Sequence, residues 1–315
     1  MHRQLFICYC KQYIIMPGLI ECYDVGGTKI LGALMQKNGK ITRAIECKTI
    51  KGSPKALIMQ IRDLSKALRE SVSSEFKIAG VSLGLPGPVE NGFLLESAPM
   101  KINSKFNVAR ELGRHFKEPV FIANDLKAAA KAELNFGLGK TVKKFFLLAI
   151  STGIGSGLVM NGKAMDCFFG EFGHTTLERD LKKAKKCSCN RLGCWAAMSS
   201  GFGIESIIEK ELKTRITVED FFRLSESDKK IKKIVWQIRD YNAQGIGNML
   251  NAFSVDAIVL MGSIALNQFD KIIPKPREIK KYTIGKVPKI VPSKLGSKIG
   301  LLGAFVFADE KLGRQ

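Results

Sequence analysis

The chain has 315 residues, 45% hydrophobic and 25% charged, which supports a large folded core and rules out disorder for the bulk of it. Its 50 Lys and Arg against 29 Asp and Glu leave a net charge of +21, a surplus that favours anionic partners such as nucleotides or phosphorylated metabolites. No stretch approaches the ~20 unbroken apolar residues needed to cross a bilayer, so no membrane partner is expected.

Residues 1–18 read as a tail or an upstream mis-start. Lys11 interrupts their apolar run, no small-residue cleavage site follows, and Met16 precedes a plausible mature start. Eight cysteines in a chain of this length without a good export signal do not make a disulfide framework, so a cytoplasmic location is expected. Leu19 to Tyr23 reads as a strand ending in Asp24, followed by a Gly-Gly turn and a second strand over Lys29 to Met35. Asn38-Gly39 signals a hairpin, and Ile41 to Cys47 returns antiparallel. Ser53-Pro54 is a cap and first helical position, for a helix to about Val72 with apolar Leu57, Ile61, Leu64 and Leu68.

Phe76 to Leu83 reads as a buried strand, and Gly84 to Pro88 as a loop. A short helix is expected over Val108 to Phe116, a strand over Pro119 to Ala123, and an alanine-rich helix over Leu126 to Phe136. Then the opening pattern returns: strand Phe145 to Ile150, glycine turn Ser151 to Gly155, strand Gly157 to Met160, turn Asn161-Gly162. Two such units predict two similar αβ halves facing a cleft. Helices near 200–212 and 228–251, a strand over Asp256 to Met261 and a closing helix from about Gly300 complete the chain. The densest basic run, Lys271 to Lys298, holds nine basic residues, one acid (Glu278) and one aromatic (Tyr282). It offers no base-stacking platform, and no nucleic-acid partner is expected.

Four motifs carry chemistry. In the first, Asp24-Val25-Gly26-Gly27-Thr28-Lys29, glycines let backbone amides approach phosphate, Asp24 can hold Mg²⁺ directly or through water, and Thr28 and Lys29 can donate to phosphate. The plain alternative is an ordinary hairpin. The second, Ser151 to Gly157 with Thr152 and Gly153, offers a similar turn in the other half. In the third, Asn124-Asp125, a carboxylate at a strand end can accept a proton from an attacking hydroxyl, or merely cap the next helix. The fourth combines His174 with Cys187, Cys189 and Cys194, one imidazole and three thiolates, a closed set suited to structural Zn²⁺. Lys182, Lys183, Lys185 and Lys186 nearby help keep the thiolates ionised. The alternative is a redox pair of Cys187 with Cys189.

Taken together, these motifs resemble the ROK family of sugar kinases from about Leu19 to Ala308. Asp24 to Lys29 looks like the family's first phosphate motif, Gly84 to Val89 like its Gly-x-Pro-Gly-Pro-Val loop, and Thr152 to Gly157 like its second phosphate loop. Gly170-Glu171-Phe172-Gly173-His174 is similar to its Gly-Glu-x-Gly-His, Cys187 to Cys194 to its zinc loop, and Ile258 to Ser263, with Gly262, to its nucleotide-binding strand. The resemblance implies an actin-like (ribonuclease H-like) two-lobed α/β fold. Its small αβ domain would span 19–123, completed by the helix at 297–315, and its large domain 124–296 with the zinc loop. It implies ATP with Mg²⁺ as donor, a sugar as acceptor with glucose 6-OH foremost, a structural Zn²⁺, and a homodimer. By resemblance, Asp125 is the general base, Asn124, Asp125, Glu171 and His174 bind the sugar, and His174 also ligates zinc.

Four departures stand out. Ala196 replaces the zinc loop's sugar-binding Glu, Cys167-Phe168-Phe169 stands where glycines are usual, Met261-Gly262-Ser263 replaces Gly-Gly-Gly, and Asn190 replaces a zinc-loop glycine. The other readings are a kinase for N-acetylhexosamines or another hexose, a sugar-binding regulator without catalysis, and a polyphosphate-dependent kinase.

Overall fold

In the computed structural model, residues 18–73 and 75–313 are described. The expected tail therefore lies, apart from Gly18, outside the described residues. Strands β1 (Gly18–Val25), β2 (Lys29–Met35) and β3 (Ile41–Lys48) form an antiparallel meander. Helix α1 (Pro54–Arg69) begins where its cap predicts, Ser53 Oγ accepting from Ala56 N at 3.2 Å, and buries Leu57, Ile61, Leu64 and Leu68. Strand β4 (Lys77–Leu85) runs parallel to β1 and extends two residues into the stretch expected as loop. Gly84 and Leu85 are held in the sheet by β8 on the far side, so the loop starts only at Pro86.

Three two-residue strands, β5 (Val89–Glu90), β6 (Phe93–Leu94) and β7 (Phe106–Asn107), then form a small antiparallel sheet that the sequence pattern does not announce. Helix α2 (Val108–Gly113) stops short of Phe116. Strand β8 (Val120–Asn124) pairs in parallel with β4, and α3 (Asp125–Phe136) leaves directly from its end.

The second half opens with β9 (Phe145–Ile150), β10 (Ile154–Met160) and β11 (Lys163–Ala164). Ile154 already pairs with Ile150, so the glycine turn is tighter than expected and β10 starts three residues before Gly157. Asn161 and Gly162 both take positive φ, +51° and +73°, the conformation a tight two-residue hairpin requires. The helical region comprises α4 (Trp195–Ser199), α5 (Gly201–Lys210), α6 (Val218–Leu224) and α7 (Lys229–Ala252). Strand β12 (Ala257–Met261), the short helices α8 (Ser263–Asn267), α9 (Phe269–Ile272) and α10 (Pro276–Ile279), strand β13 (Lys289–Pro292) and helix α11 (Ile299–Leu312) complete the fold.

The two main sheets have the orders β3-β2-β1-β4-β8 and β11-β10-β9-β12-β13. Both are one pattern: an antiparallel three-strand meander whose first strand pairs in parallel with a fourth strand, which in turn pairs in parallel with a fifth. This duplicated unit is the actin-like α/β fold. Helices α3 and α11 pack against each other between the sheets. Leu301, Ala304, Phe305 and Ala308 of α11 meet Ile20, Cys22, Ala33 and Met35 of the first sheet, while Ala129, Ala130 and Ala132 of α3 meet Phe145, Leu147 and Val159 of the second. The alanines of α3 keep that layer thin. The outer face of the first sheet is covered by α1, and that of the second by α4–α7 around Phe146, Leu148, Trp195, Ile238 and Ile246.

One buried charge sits beneath α1. Glu21 on β1 is fully buried, and it accepts from Arg69 Nε at 2.7 Å and from the Tyr23 hydroxyl. Arg69 continues to Glu118 at 2.9 Å, so the carboxylate is paired as a buried charge must be. No helix among the described residues is long and apolar enough to cross a membrane.

At the α3–α11 crossing, a Cβ on Gly303 would collide with the Ala128 backbone. Backbone cannot rotate away as a side chain can. Gly303→Val is therefore expected to cost at least about 1–3 kcal/mol through overpacking, measured by denaturant unfolding.

Candidate active site

Adjacent strand ends build the site. Register places Asp24 of β1 beside Gly84 of β4, and Gly84 beside Ala123 of β8, the residue before Asn124-Asp125. Because Gly84 has no side chain, Asp125 passes close over it: a Cβ there would lie 3.5 Å from the Asp125 Cα. From the other side, the second residue of α11, Gly300, lies so close to the Asp24 carboxylate that any Cβ would overlap it. Asp24 and Asp125 thus sit close to each other, one on each side of Gly84.

Asn124 is the N-cap of α3. Its Oδ1 accepts from Leu126 N at 3.1 Å and Lys127 N at 2.9 Å, and its Nδ2 donates to Gly87 O at 3.0 Å and Asp125 Oδ1 at 3.1 Å. The cap that sequence alone assigns as an alternative to Asp125 is therefore Asn124, although Asp125 Oδ1 also accepts from Leu126 N at 2.8 Å. Burial pushes the Asp125 carboxyl up to about 8, with the charges of Asp24 and Glu171 adding to it and the Leu126 amide opposing. Burial likewise raises Asp24 to about 6, drawn back by Lys29.

The first glycine turn closes with Gly26 N donating to Lys29 O at 2.8 Å. Thr49, which no motif marks, braces it: its hydroxyl donates to Gly26 O at 2.7 Å and its amide to Thr28 O at 3.0 Å. Gly27 and Thr28 sit at the tip, Thr28 exposed, while the Lys29 ammonium pairs with Glu46 at 2.7 Å on the surface. In the second half, Thr152 and Gly153 are exposed at the β9–β10 turn, where Ser151 N donates to Gly153 O at 2.9 Å. Gly262, at φ +93°, follows β12 and abuts Ile150 O. Beyond it, Ser263 Oγ lies 3.2 Å from Ser151 Oγ, a pair visible only once β9 and β12 are adjacent. Leu126 of α3 packs onto Gly155 of β10, joining this turn's strand to the residue after Asp125.

The segment leading to Glu171 is pinned to β10, with Ser156 N donating to Gly170 O at 2.8 Å. Phe168 seals it into the core against Phe146 and Phe253, with centroids 5.9 and 5.8 Å away, which is what Cys167-Phe168-Phe169 provides in place of glycines. His174 faces two ways. Its Nε2 is 3.8 Å from Glu171 Oε2 and its Nδ1 3.4 Å from Cys187 Sγ. Cys189 and Cys194 sulfurs are 3.7 Å apart, and donor atoms of His174, Cys187, Cys189 and Cys194 all lie within 4.8 Å of one another. A tetrahedral zinc with Zn–S bonds of about 2.3 Å sets its ligands roughly 3.5–3.8 Å apart, so this donor set fits the ion.

Charge supports the fit. Burial raises the Cys187 thiol, yet the His174 ring and the Cys189 contacts bring it down to about 6, whereas burial and the Cys187 charge push Cys194 up to about 12. All three sulfurs can be thiolates together only beside a cation, which would draw the proton off Cys194. Asn190 takes φ +66°, a left-handed conformation asparagine tolerates, which explains how it replaces glycine. Trp195, immediately after Cys194, is fully buried and donates to Asn242 Oδ1 at 2.8 Å, tying the metal loop to α7. Ala196 beside it is buried and brings no carboxylate.

A family model described as the ROK family matches residues 20–311. A glucokinase of Halalkalibacterium halodurans is 28% identical over 305 residues, covering 89% of this chain and 92% of the relative. An N-acetylmannosamine kinase of Haemophilus influenzae is 25% identical over 92% of this chain and 95% of the relative. The crystal structure of a ROK hexokinase from Thermus thermophilus superposes with a TM-score of 0.78 at 26% identity, covering 94% of this chain and 100% of that one.

Metal analysis of purified protein is expected to find one zinc per chain, lost in Cys194→Ser and kept in Cys22→Ser, whose thiol lies apart in the α11 core. A carboxyl raised from 3.8 to about 8 on folding costs stability that accumulates as pH climbs between those values and is complete above 8. Asp125→Asn is therefore expected to raise the melting temperature of the ligand-free protein more at pH 9 than at pH 6.

Proposed function

The chain belongs to the ROK family, and we propose that it is an ATP-dependent hexose kinase, transferring the γ-phosphoryl group of ATP to a sugar hydroxyl, with glucose 6-OH the leading acceptor. The carrying observation is the Asp125 carboxyl, half-buried beside Asp24 across Gly84, with Glu171 close enough for its charge to be felt. The full-length likeness to a glucokinase and an N-acetylmannosamine kinase supports the reaction class and makes N-acetylhexosamines the next acceptors to try.

In this reading, Asp125 accepts the proton of the attacking sugar hydroxyl. A base is most useful when its pKa lies near the working pH, and a value of about 8 satisfies that. Asn124 holds Asp125 at the helix start and would turn the N–H now on Asp125 toward the sugar, and Glu171 and the Nε2 side of His174 would bind further hydroxyls. Asp24 would hold Mg²⁺ directly or through water, and the turns at Gly26-Gly27-Thr28 and Thr152-Gly153 would take phosphate oxygens, with Gly262 and Ser263 toward the nucleotide. Mg²⁺ when bound would neutralise charge developing on the transferred phosphoryl group. His174, Cys187, Cys189 and Cys194 would hold Zn²⁺, which fixes the acceptor loop and does no chemistry, since four protein ligands leave no open position. The chain's part is alignment and charge placement, as a loose phosphoryl-transfer transition state demands.

A second reading, a sugar-binding regulator without catalysis, is favoured by one feature only, the missing carboxylate at Ala196.

Incubated with ATP, Mg²⁺ and a panel of glucose, mannose, fructose and N-acetylated hexosamines, the protein is expected to release ADP with at least one sugar. Asp125→Ala is expected to lower kcat by roughly 10²- to 10⁴-fold. Sugar binding without ADP release would favour the regulator, and neither binding nor turnover would reject both. Because the base must be ionised in the free enzyme, kcat/KM is expected to fall as pH drops below about 8.

A further inference from the structure

On the far side of α3 from the paired carboxyls lies a recess of about 290 Å³, just under the roughly 300–1,000 Å³ of most small-molecule sites. None of Asp24, Asp125, Glu171 and His174 lines it, and Asn124 alone of the site residues borders it. Helix geometry explains the separation. Lys127 and Lys131 follow Asp125 by two and six residues, so they leave α3 roughly 200° and 240° around its axis from that carboxyl. The other walls are the edge strand β8, the last turns of α11 with Phe307, Glu310 and Lys311, Asn91 of the first half and Asp166 of the second.

The lining gathers positive charge around an aromatic ring. Three ammonium groups, of Lys127, Lys131 and Lys311, meet two carboxylates, of Asp166 and Glu310. Lys131 is 8% exposed, and Glu310 fixes its ammonium at 2.6 Å. The Lys131 and Lys311 ammoniums lie 6.0 and 5.9 Å from the centroid of the Phe307 ring. Lys127 donates to the backbone oxygen of Asp166 at 2.6 Å, with the exposed Asp166 carboxylate 3.9 Å away. A carbonyl is a weaker acceptor than an anion, so Lys127 can turn to one. Lys311 is exposed and pairs with no acid among the described residues. Lys131 is thus committed to Glu310, and Lys127 and Lys311 are the cations open to a ligand.

We propose that this recess binds the phosphate ester of a monosaccharide. Lys127 and Lys311 take the phosphate, the Phe307 ring packs against the apolar face of the sugar, and Asn91 and Glu310 take hydroxyls. A bare phosphate would leave the ring and most of the volume unused, and a neutral sugar would leave the two cations without an anion. Asn91 and β8 belong to the first half and Asp166 to the second, so a bound ester bridges the halves at the back of the helix that carries Asp125. The site goes beyond the kinase reading and does not depend on it, because none of its phosphate or sugar contacts is a group assigned to phosphoryl transfer.

Calorimetric titration of glucose 6-phosphate and of inorganic phosphate onto the protein and its Lys127→Gln, Lys311→Gln and Asp125→Ala variants tests this. Matching melting temperatures check that each variant is folded. Glucose 6-phosphate is expected to show a binding event that is tighter than that of phosphate, weakens roughly tenfold or more in each lysine variant, as loss of a hydrogen bond to a charged group does, and persists in Asp125→Ala. No binding of the ester, or unchanged affinity in both lysine variants, overturns the proposal. Weakening in Asp125→Ala and in neither lysine variant places the ester in the cleft and overturns it too, and phosphate binding as tightly as the ester overturns the assignment to a sugar ester. None of these outcomes reads turnover, so failure of the kinase reading shows separately, as absence of ADP release.

Discussion

Two carboxyl groups held side by side, which cannot easily both be charged, are the constraint around which this molecule is built. Asp24 and Asp125 end strands on either side of β4, and only a glycine between them, Gly84, lets them share the cleft. Burial raises both carboxyls, and Asp24 raises Asp125 further. Such a pair is tolerable where something offsets it. Helix α3 begins at Asp125 and α11 begins against Asp24, so the positive ends of two long helices bear on the pair. Gly300 is the condition for the second of these contacts. The proposed roles, Asp24 toward a cation and Asp125 toward a hydroxyl donor, would use that same environment.

The acceptor side is made rigid by connections that run away from it. His174 presents one nitrogen to Glu171 and the other to Cys187, so the ring couples that carboxylate to the cysteine cluster. The cluster's loop is closed by bridges pairing Thr176 with Cys194 and Lys186 with Leu192, and Trp195 carries the connection into α7 through Asn242, whose amide reaches Ile272 O at 3.0 Å. From β10, the contact of Gly155 with Leu126 ties the same assembly to the start of α3. Phe168 belongs to this scaffold: where a glycine-rich loop would be free to adapt, its ring is locked among Phe146, Phe172 and Phe253.

Much of the architecture was legible because local chemistry agreed with the tertiary outcome. Asn38-Gly39 and Asn161-Gly162 turn where such pairs turn, Ser53-Pro54 starts a helix, and the spacing of Leu57, Ile61, Leu64 and Leu68 marks its buried face. Elements without a period were not legible. Strands β5–β7 have two residues each, α8–α10 four or five, and β13 carries Pro292, which only an edge strand accommodates. The limits of β4 and β10 were misjudged for one reason. Glycines that look like loop residues in a string are strand residues when neighbours on both sides hold them or a helix must pass close by, as at Gly84 and Gly155.

The sequence by itself determined which chemical groups are present and their local settings: Asp24 before a glycine turn, Asn124-Asp125 at a strand end, and His174 with three cysteines at metal-ligand spacing. It also determined the duplication, because each strand–turn–strand unit is written in contiguous residues. Tertiary structure alone decided that β1, β4 and β8 lie side by side, that Gly300 seals against Asp24 from 276 residues away, and that Ser263 meets Ser151. Hydrogen bonds and periodicities within a few residues of chain can be read from adjacency. Charge coupling and close approach depend on distance in space, and only the packed fold sets that.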